Sequence, residues 1–445
     1  MKTITIGGYF DPIKTYEKLQ EHSLGGEYSF IYENNNVSVV GSIPTYTIKL
    51  QNDKWHLKRY DITIEEMPSE SPYSEFRHIL KKLGNELKLF GYISFDLSKY
   101  YYDYTKTNTL PLIEFIQPGV QMLFYTNYCQ IISDNPEYYA DYLVDSSREK
   151  QEIVKVVECD INDEEGKDDF IRKIYSCQNL IEKNILKKII ISRIRHFEIQ
   201  LKPIELYFYY KQFNNSLTNF LLEYSNIKII GCSPEILLSS DSKQVFTNVL
   251  AGTKQRSSNP IRDLHLRNEL LTNEKEIFEH AISVMAAYRE MKMFCVPEKV
   301  NVKRFMEIKE YKSVRHIFSQ ISGIYQKGKD IFDALQILFP AITVSGVPKD
   351  IAIKYINKIE DTPRDLYAGV VGYFNSEGQG EFPIAIRCIF SESPNNYYIR
   401  SGAGIVGASN PLDEFNETKY KMAAMIRAIT SREQRQCTNL NLKKK

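Results

Sequence analysis

Apolar runs of strand length recur along the chain between turn residues, and amphipathic stretches of helical length interrupt them at irregular intervals. Residues 1 to about 145 read as short strands and turns, among them VSVVGSIPTYTIKL, a helical RHILKKLGNELKLF, then GYISFDL and a tyrosine-rich YYYDYTK. The charged stretch SSREKQEIVKVVECDINDEEGKDDF suits a connector leading into a helix over DDFIRKIYSCQNLIEKNI, which predicts a boundary near 155. Beyond it come the strands KKIIISRIRHFEI, IKIIGCSPEILLSS and KQVFTNVLAGT, a long helix from about 274 to 293, and a strand near RHIFSQISGIY. A Pro- and Gly-containing turn, FPAITVSGVPK, precedes a helix, the strands VVGYFN, FPIAIRCIF and YYIRSGAGIV, and a final helix from about 411. Without regular βαβ alternation, and with many strands in hairpin-like pairs, the pattern predicts an α+β fold with large antiparallel sheets. Residues 1–155 form its N-terminal part, 156–430 a second and chemically richer region, and 431–445, ending LNLKKK, a solvated tail.

Composition narrows the class. The chain has 445 residues, 43% hydrophobic and 25% charged, as in a globular protein able to bury one large core or two ordinary ones. The net charge of +1 supplies no basic field, so nucleic acid is not an expected partner. The seven cysteines are scattered, with no C-x-x-C pair, which suggests neither a zinc site nor a disulfide framework. The N-terminus has no apolar core of signal-peptide length, and no apolar stretch approaches the roughly 18 residues that span a bilayer; a cytoplasmic protein with no membrane partner is expected.

Candidate chemistry gathers after residue 180. Glu276 and Glu279 are three apart in a predicted helix and share a face, and Glu414 and Glu417 repeat the spacing behind Asn410 and Pro411, a helix-start pair. Brought together, the two faces offer four hard oxygen ligands of the kind Mg²⁺ takes. Glu276 can also be read as the return half of a capping box with Asn273, and Glu414 as helix-dipole compensation. In the strand beginning at Lys188, side chains alternate, so Lys188 and Lys187 point to opposite faces and one of them is a candidate buried general base; the other reading is an edge-strand lysine. Glu235 follows a proline-marked bend into an apolar strand, where desolvation would raise its pKa and suit a general acid. Arg387 lies within IAIRCIF, where an inward guanidinium needs an anion, from a substrate or from the protein. SGAGIVG, residues 401 to 407, fits G-x-G-x-x-G literally, but the 38 residues that follow are too few for the rest of a dinucleotide fold, and NAD is rejected. Gly402 and Gly404 still allow close backbone approach to a carboxylate, with Lys421 one turn past Glu417 adding charge.

Taken in order, GCSPEILL, LAGTK, NEKEIFEHAISV, SVRHIFSQISG, LFPAITVSGVPK, RDLYAGVVGYF, IAIR, RSGAGIV and EFNETKYK resemble the catalytic region of the chorismate-utilising enzymes, with colinear motifs over about 180 to 425. The resemblance implies two large antiparallel sheets forming a sandwich with helices outside and the active site between the halves. It also implies Mg²⁺ bound directly by Glu279 and Glu417 and through water by Glu276 and Glu414, holding the ring carboxylate of chorismate. Gly402, Gly404 and Lys421 would bind that carboxylate too, Arg387 and Tyr367 the enolpyruvyl carboxylate, and Gly252 and Thr253 of LAGTK further substrate groups. Glu235 would protonate the departing 4-hydroxyl, and His316 would line the ring. Ammonia users of the family resemble one another in having Gln where this chain has Lys188, so water attack, giving isochorismate, is implied. NNSLTNFLLEY stands where tryptophan-regulated anthranilate synthases carry Pro-Ser-Pro-Tyr. Thr343 and KEIFEHAISV resemble salicylate synthases, whereas Ala341, Val344 and GVVGYF depart from them, the last toward the anthranilate branch. The implied protein is a monomeric salicylate synthase in siderophore or related metabolism, with no glutamine amidotransferase subunit; isochorismate synthase is the alternative, and a silent binding subunit a third.

Overall fold

The structure, a computed structural model, describes residues 1–34, 36–84, 86–106, 110–146, 164–225 and 227–430. The expected boundary near 155 and the tail 431–445 lie outside the described residues. The fold is α+β, as the pattern predicted: twenty strands among the described residues pair antiparallel and connect into one continuous hydrogen-bonded sheet, with helices packed against it.

Strand order interleaves the chain. Tyr28–Glu33 pairs with Thr218–Tyr224, and Lys88–Ile93 pairs with Val370–Asn375, so ladders tie the first 146 residues to those after 164. The strip of strands has one end at Asn301–Glu310, Val314–Ile324 and Gln244–Gln255, and the other at Asn396–Ile405, Lys188–Glu198 and Gly346–Val347. These two ends face each other across a single cavity. Two helices close it. Glu274–Phe294 begins where Asn273 Oδ1 accepts the Glu276 N–H, and Pro411–Thr430 begins where Asn410 Oδ1 accepts the Leu412 and Asp413 N–H groups. His280 pins the first helix to the sheet through the Ala251 carbonyl at 3.0 Å and Ser319 Oγ at 2.7 Å, and burial pushes its pKa down to about 4. No helix among the described residues is long and apolar enough to cross a membrane.

Two elements differ from the pattern reading. The helix expected over RHILKKLGNELKLF runs instead from Pro72 to Leu83 and stops at Gly84, whose φ of 91° is open to glycine, while KLF enters the strand Lys88–Ile93. Apolar periodicity there is shared by a helix end and a buried strand. FPIAIRCIF is two strands, Gln379–Pro383 and Cys388–Ser393, and Arg387 in the break has φ 54°. IKIIGCSPEILLSS breaks at Pro234 and Glu235, at the proline-marked bend. The two breaks are stitched together: Ile384 donates its N–H to the Glu235 carbonyl at 2.9 Å, and Ser233 Oγ donates to the Ile384 carbonyl at 2.7 Å. Leaving the ladders at adjacent points is what frees Glu235 and Arg387 to enter the cavity.

Candidate active site

The cavity between the sheet ends holds about 610 Å³ of space free of protein atoms. Glu235, Gly252, Thr253, Glu279, His316, Thr343, Tyr367, Arg387, Gly402, Gly404, Glu417 and Lys421 all line it. Glu276 and Glu414 line a neighbouring cavity that shares Thr253 and Glu417 with the first.

Lys188 is 1% exposed while Lys187 is exposed, so strand alternation turns Lys188 inward. Its Nζ lies 3.0 Å from Glu279 Oε1 and donates to Ser283 Oγ at 2.9 Å. A Cβ on Gly404 would collide with Glu279 Oε1 and meet Lys188 Cε at 3.2 Å, so glycine there makes room for this pair. Burial acts to raise the Glu279 pKa, but Lys188 and Lys275 outweigh it and hold the carboxyl down at about 2.

Glu235 is 2% exposed, and its Oε1 accepts from Thr343 Oγ1 at 2.7 Å and from the Leu250 N–H at 3.1 Å. Burial pushes its pKa up to about 7; the Thr343 hydroxyl and the Leu250 amide oppose the rise without cancelling it. A carboxyl poised there can hold or give a proton near neutral pH.

Arg387 is buried, and no carboxylate among the described residues pairs with its guanidinium. It donates instead to His316 Nε2 at 3.1 Å. Because arginine only donates, His316 accepts at Nε2 and carries its proton on Nδ1, which donates to the Gly252 carbonyl at 3.3 Å. Burial, with Arg387 and Lys421 adding, keeps the imidazole pKa well below its usual value. The site thus presents a desolvated cation that lacks an anion. The Tyr367 ring lies 5.7 Å from both the Arg364 and the Arg400 guanidinium, and its hydroxyl would meet a Cβ on Gly402 at 2.9 Å. Lys421 donates to the Gly402 carbonyl at 2.9 Å and pairs with Glu417 at 2.6 Å. Gly252, at φ 82°, sits in the bulge that turns Thr253 toward Glu276, whose Oε2 accepts the Thr253 N–H at 2.8 Å. Asn273 therefore caps its helix, while the Glu276 side chain turns away from the cap toward Thr253 and Lys275.

Sequence reasoning missed two side chains. Arg400 lines the cavity and is held by Glu360 Oε2 at 2.7 Å, a carboxylate that also grips Arg364. A charge inside the apolar run YYIRSGAGIV was the available signal, the same one that marked Arg387. For Lys275 the signal was its i,i+4 spacing to Glu279; it also reaches Glu414 and Glu276. Burial pushes the Glu414 pKa up to about 8 despite Lys275, and Glu417 adds to the rise. The donor set suits a hard divalent cation, all carboxylate oxygens, and Glu414 Oε2 is buried with no hydrogen-bond partner. Among the described residues, however, no three acidic, His or Cys side chains stand as a ready metal site; the carboxylates converge on Lys275 instead.

A family model described as chorismate binding enzyme matches residues 27–427. The anthranilate synthase component 1 of Archaeoglobus fulgidus is 40% identical over 242 residues, 54% of this chain and 57% of the relative. That of Halobacterium salinarum is 37% identical over 243 residues, 54% of this chain and 46% of the relative, so the match spans about half of that protein's length. Among solved structures, anthranilate synthase component I from Streptococcus pneumoniae TIGR4 superposes with a TM-score of 0.72 at 24% identity, covering 88% of this chain and 92% of that one. The menaquinone-specific isochorismate synthase of Escherichia coli gives 0.71 at 19%, covering 96% and 94%. Both show the same fold.

Proposed function

Because the chain belongs to the family of chorismate binding enzymes, we propose that it converts chorismate through isochorismate to salicylate and pyruvate. The observation that supports this best is Lys188, buried behind the cavity wall and ion-paired with Glu279, which lines the cavity, at the position where ammonia-using relatives resemble one another in carrying Gln. In this reading Lys188 takes a proton from the water that attacks ring C2, the ring double bond shifts, and Glu235 gives its proton to the departing 4-hydroxyl. Arg387 and Tyr367 hold the enolpyruvyl carboxylate; the unpaired, desolvated guanidinium supports that role. Gly402, Gly404 and Lys421 take the ring carboxylate, Gly252 and Thr253 further substrate groups, and His316 lines the ring. Mg²⁺ would be held by Glu279 and Glu417, with Glu276 and Glu414 behind water, and would supply positive charge to the ring carboxylate. The second half-reaction moves the C2 hydrogen to the enolpyruvyl methylene as the C3–O bond breaks, so it needs positioning more than a further acid or base. The protein would act in the cytoplasm as a monomer without an amidotransferase subunit.

A second reading has support in the comparisons. The relatives quoted above are anthranilate synthase components, which favours ammonia in place of water. The experiment is chromatography of products after incubation of purified protein with chorismate and Mg²⁺, with and without ammonium. Salicylate and pyruvate are expected. Isochorismate without pyruvate would replace the proposal by isochorismate synthase, and anthranilate in the ammonium arm would replace it by the second reading.

A further inference from the structure

Three carboxylates of the acidic cluster share one ammonium. Lys275 Nζ lies 2.8 Å from Glu414 Oε1, 3.0 Å from Glu276 Oε1 and 3.4 Å from Glu279 Oε2. The side chains of Glu414, Glu279 and Glu276 are 3%, 9% and 10% exposed, so their mutual repulsion is poorly screened by water. Lysine suits the task of neutralising them because its charge is compact and its stem flexible. The lysine does not satisfy the whole cluster: Glu414 Oε2 stays buried with no hydrogen-bond partner.

From this arrangement we infer that Lys275 is a displaceable internal counter-ion: it holds the carboxylate cluster together while no metal is bound, and a divalent cation must expel it, so Lys275 sets the cation affinity of the site. The inference rests on the Mg²⁺ reading given above. A cation ligated by these oxygens would stand at contact distance from the ammonium, and two positive charges cannot share the position. Mg²⁺ held by Glu279 and Glu417, with Glu276 and Glu414 behind water, requires a near-octahedral shell of oxygens, and an ammonium resting on Glu276, Glu414 and Glu279 stands in the way of that shell. The lysine has somewhere to go: together with Glu276 and Glu414 it already borders the neighbouring cavity, whose lining beyond the cluster includes Asn273, Asn410, Asp413 and Tyr420. Asp413 there offers a carboxylate outside the cluster. Cation binding then carries the cost of breaking three ion pairs, which removing Lys275 would abolish.

The test is calorimetric titration of Mn²⁺, as the probe cation, into the chelator-stripped full chain, alongside thermal melting in chelator and in Mn²⁺. Lys275→Met should bind Mn²⁺ about tenfold more tightly or better. It should melt below the wild type in chelator, from unrelieved carboxylate repulsion, and recover in Mn²⁺. Lys275→Arg, which keeps the charge, should melt near the wild type in chelator and bind Mn²⁺ no more tightly. Equal or weaker Mn²⁺ binding by Lys275→Met would overturn the counter-ion role while leaving the metal site standing. No Mn²⁺ binding by either protein would overturn the Mg²⁺ reading itself. If Lys275→Met does not fold even with Mn²⁺, Lys275→Gln, neutral but still a hydrogen-bond donor, carries the same comparison.

Discussion

The Thr343 hydroxyl donates to Glu235 Oε1 at 2.7 Å, joining a short turn, Ile342–Val344, to a carboxyl group in a strand break 108 residues away. A hydrogen bond to a carboxylate stabilises its charged form, so Thr343 partly offsets the burial that lifts Glu235 to a pKa of about 7. One contact therefore bears on both the acid and the shape of the pocket wall beside it.

If Glu235 gives a proton in the first half-reaction, it must enter the cycle protonated, and the rate should fall as pH rises through about 7. Thr343→Val removes the opposing hydrogen bond, so the Glu235 pKa should rise and the falling limb move to higher pH. A limb that stays put in this variant would belong to another group.

Product partition is a second consequence of the same position. Thr343→Ala should keep chorismate consumption while shifting output from salicylate toward isochorismate, read by quantifying both products and pyruvate. An unchanged product ratio would remove Thr343 from the second half-reaction.

Lys188→Ala should lower kcat by ~10²–10⁴-fold, the usual contribution of a positioned base, while Lys187→Ala, on the exposed face, should change little. Equal and mild effects of the two substitutions would mean that neither is the base.

Chelation should stop turnover and Mg²⁺ restore it. Glu279→Gln and Glu417→Gln should do the same irreversibly with the circular dichroism spectrum unchanged. Full activity in excess chelator would take the metal out of the mechanism.

Away from the site, Asp96 is buried, accepts from Tyr104 Oη at 2.9 Å and the Asp365 N–H at 3.2 Å, and is pushed up to about 8 by burial and by Asp365. Its folded pKa exceeds the unfolded value of about 3.9, so its stabilising contribution is full below about pH 4 and is lost as pH rises toward 8. Asp96→Asn removes that dependence. The melting temperature of the variant minus that of the wild type should climb between pH 4 and 8; a constant difference would show that Asp96 is ionised in the fold.

Much of this was legible in the sequence because it depends on neighbours within a turn or two. Strand alternation separated Lys188 from Lys187, Asn273 and Asn410 announced two helix starts, and the three-residue spacing put Glu276 with Glu279 and Glu414 with Glu417 on helix faces. Colinear motifs added the family. What periodicity could not supply was which face is buried and what it meets. Lys187 and Lys188 were equivalent until the strand Lys188–Glu198 was paired with Asn396–Ile405 and Gly346–Val347. The break that turns Arg387 inward read as unbroken apolar strand. Lys275 shares a helix face with Glu279 by i,i+4 spacing; its shortest ion pair, with Glu414 on a helix more than a hundred residues later, exists only in the tertiary structure. Local patterns follow from backbone geometry that every residue carries with it, whereas a site made where the two ends of a long sheet close on each other exists only once the whole strip has been paired.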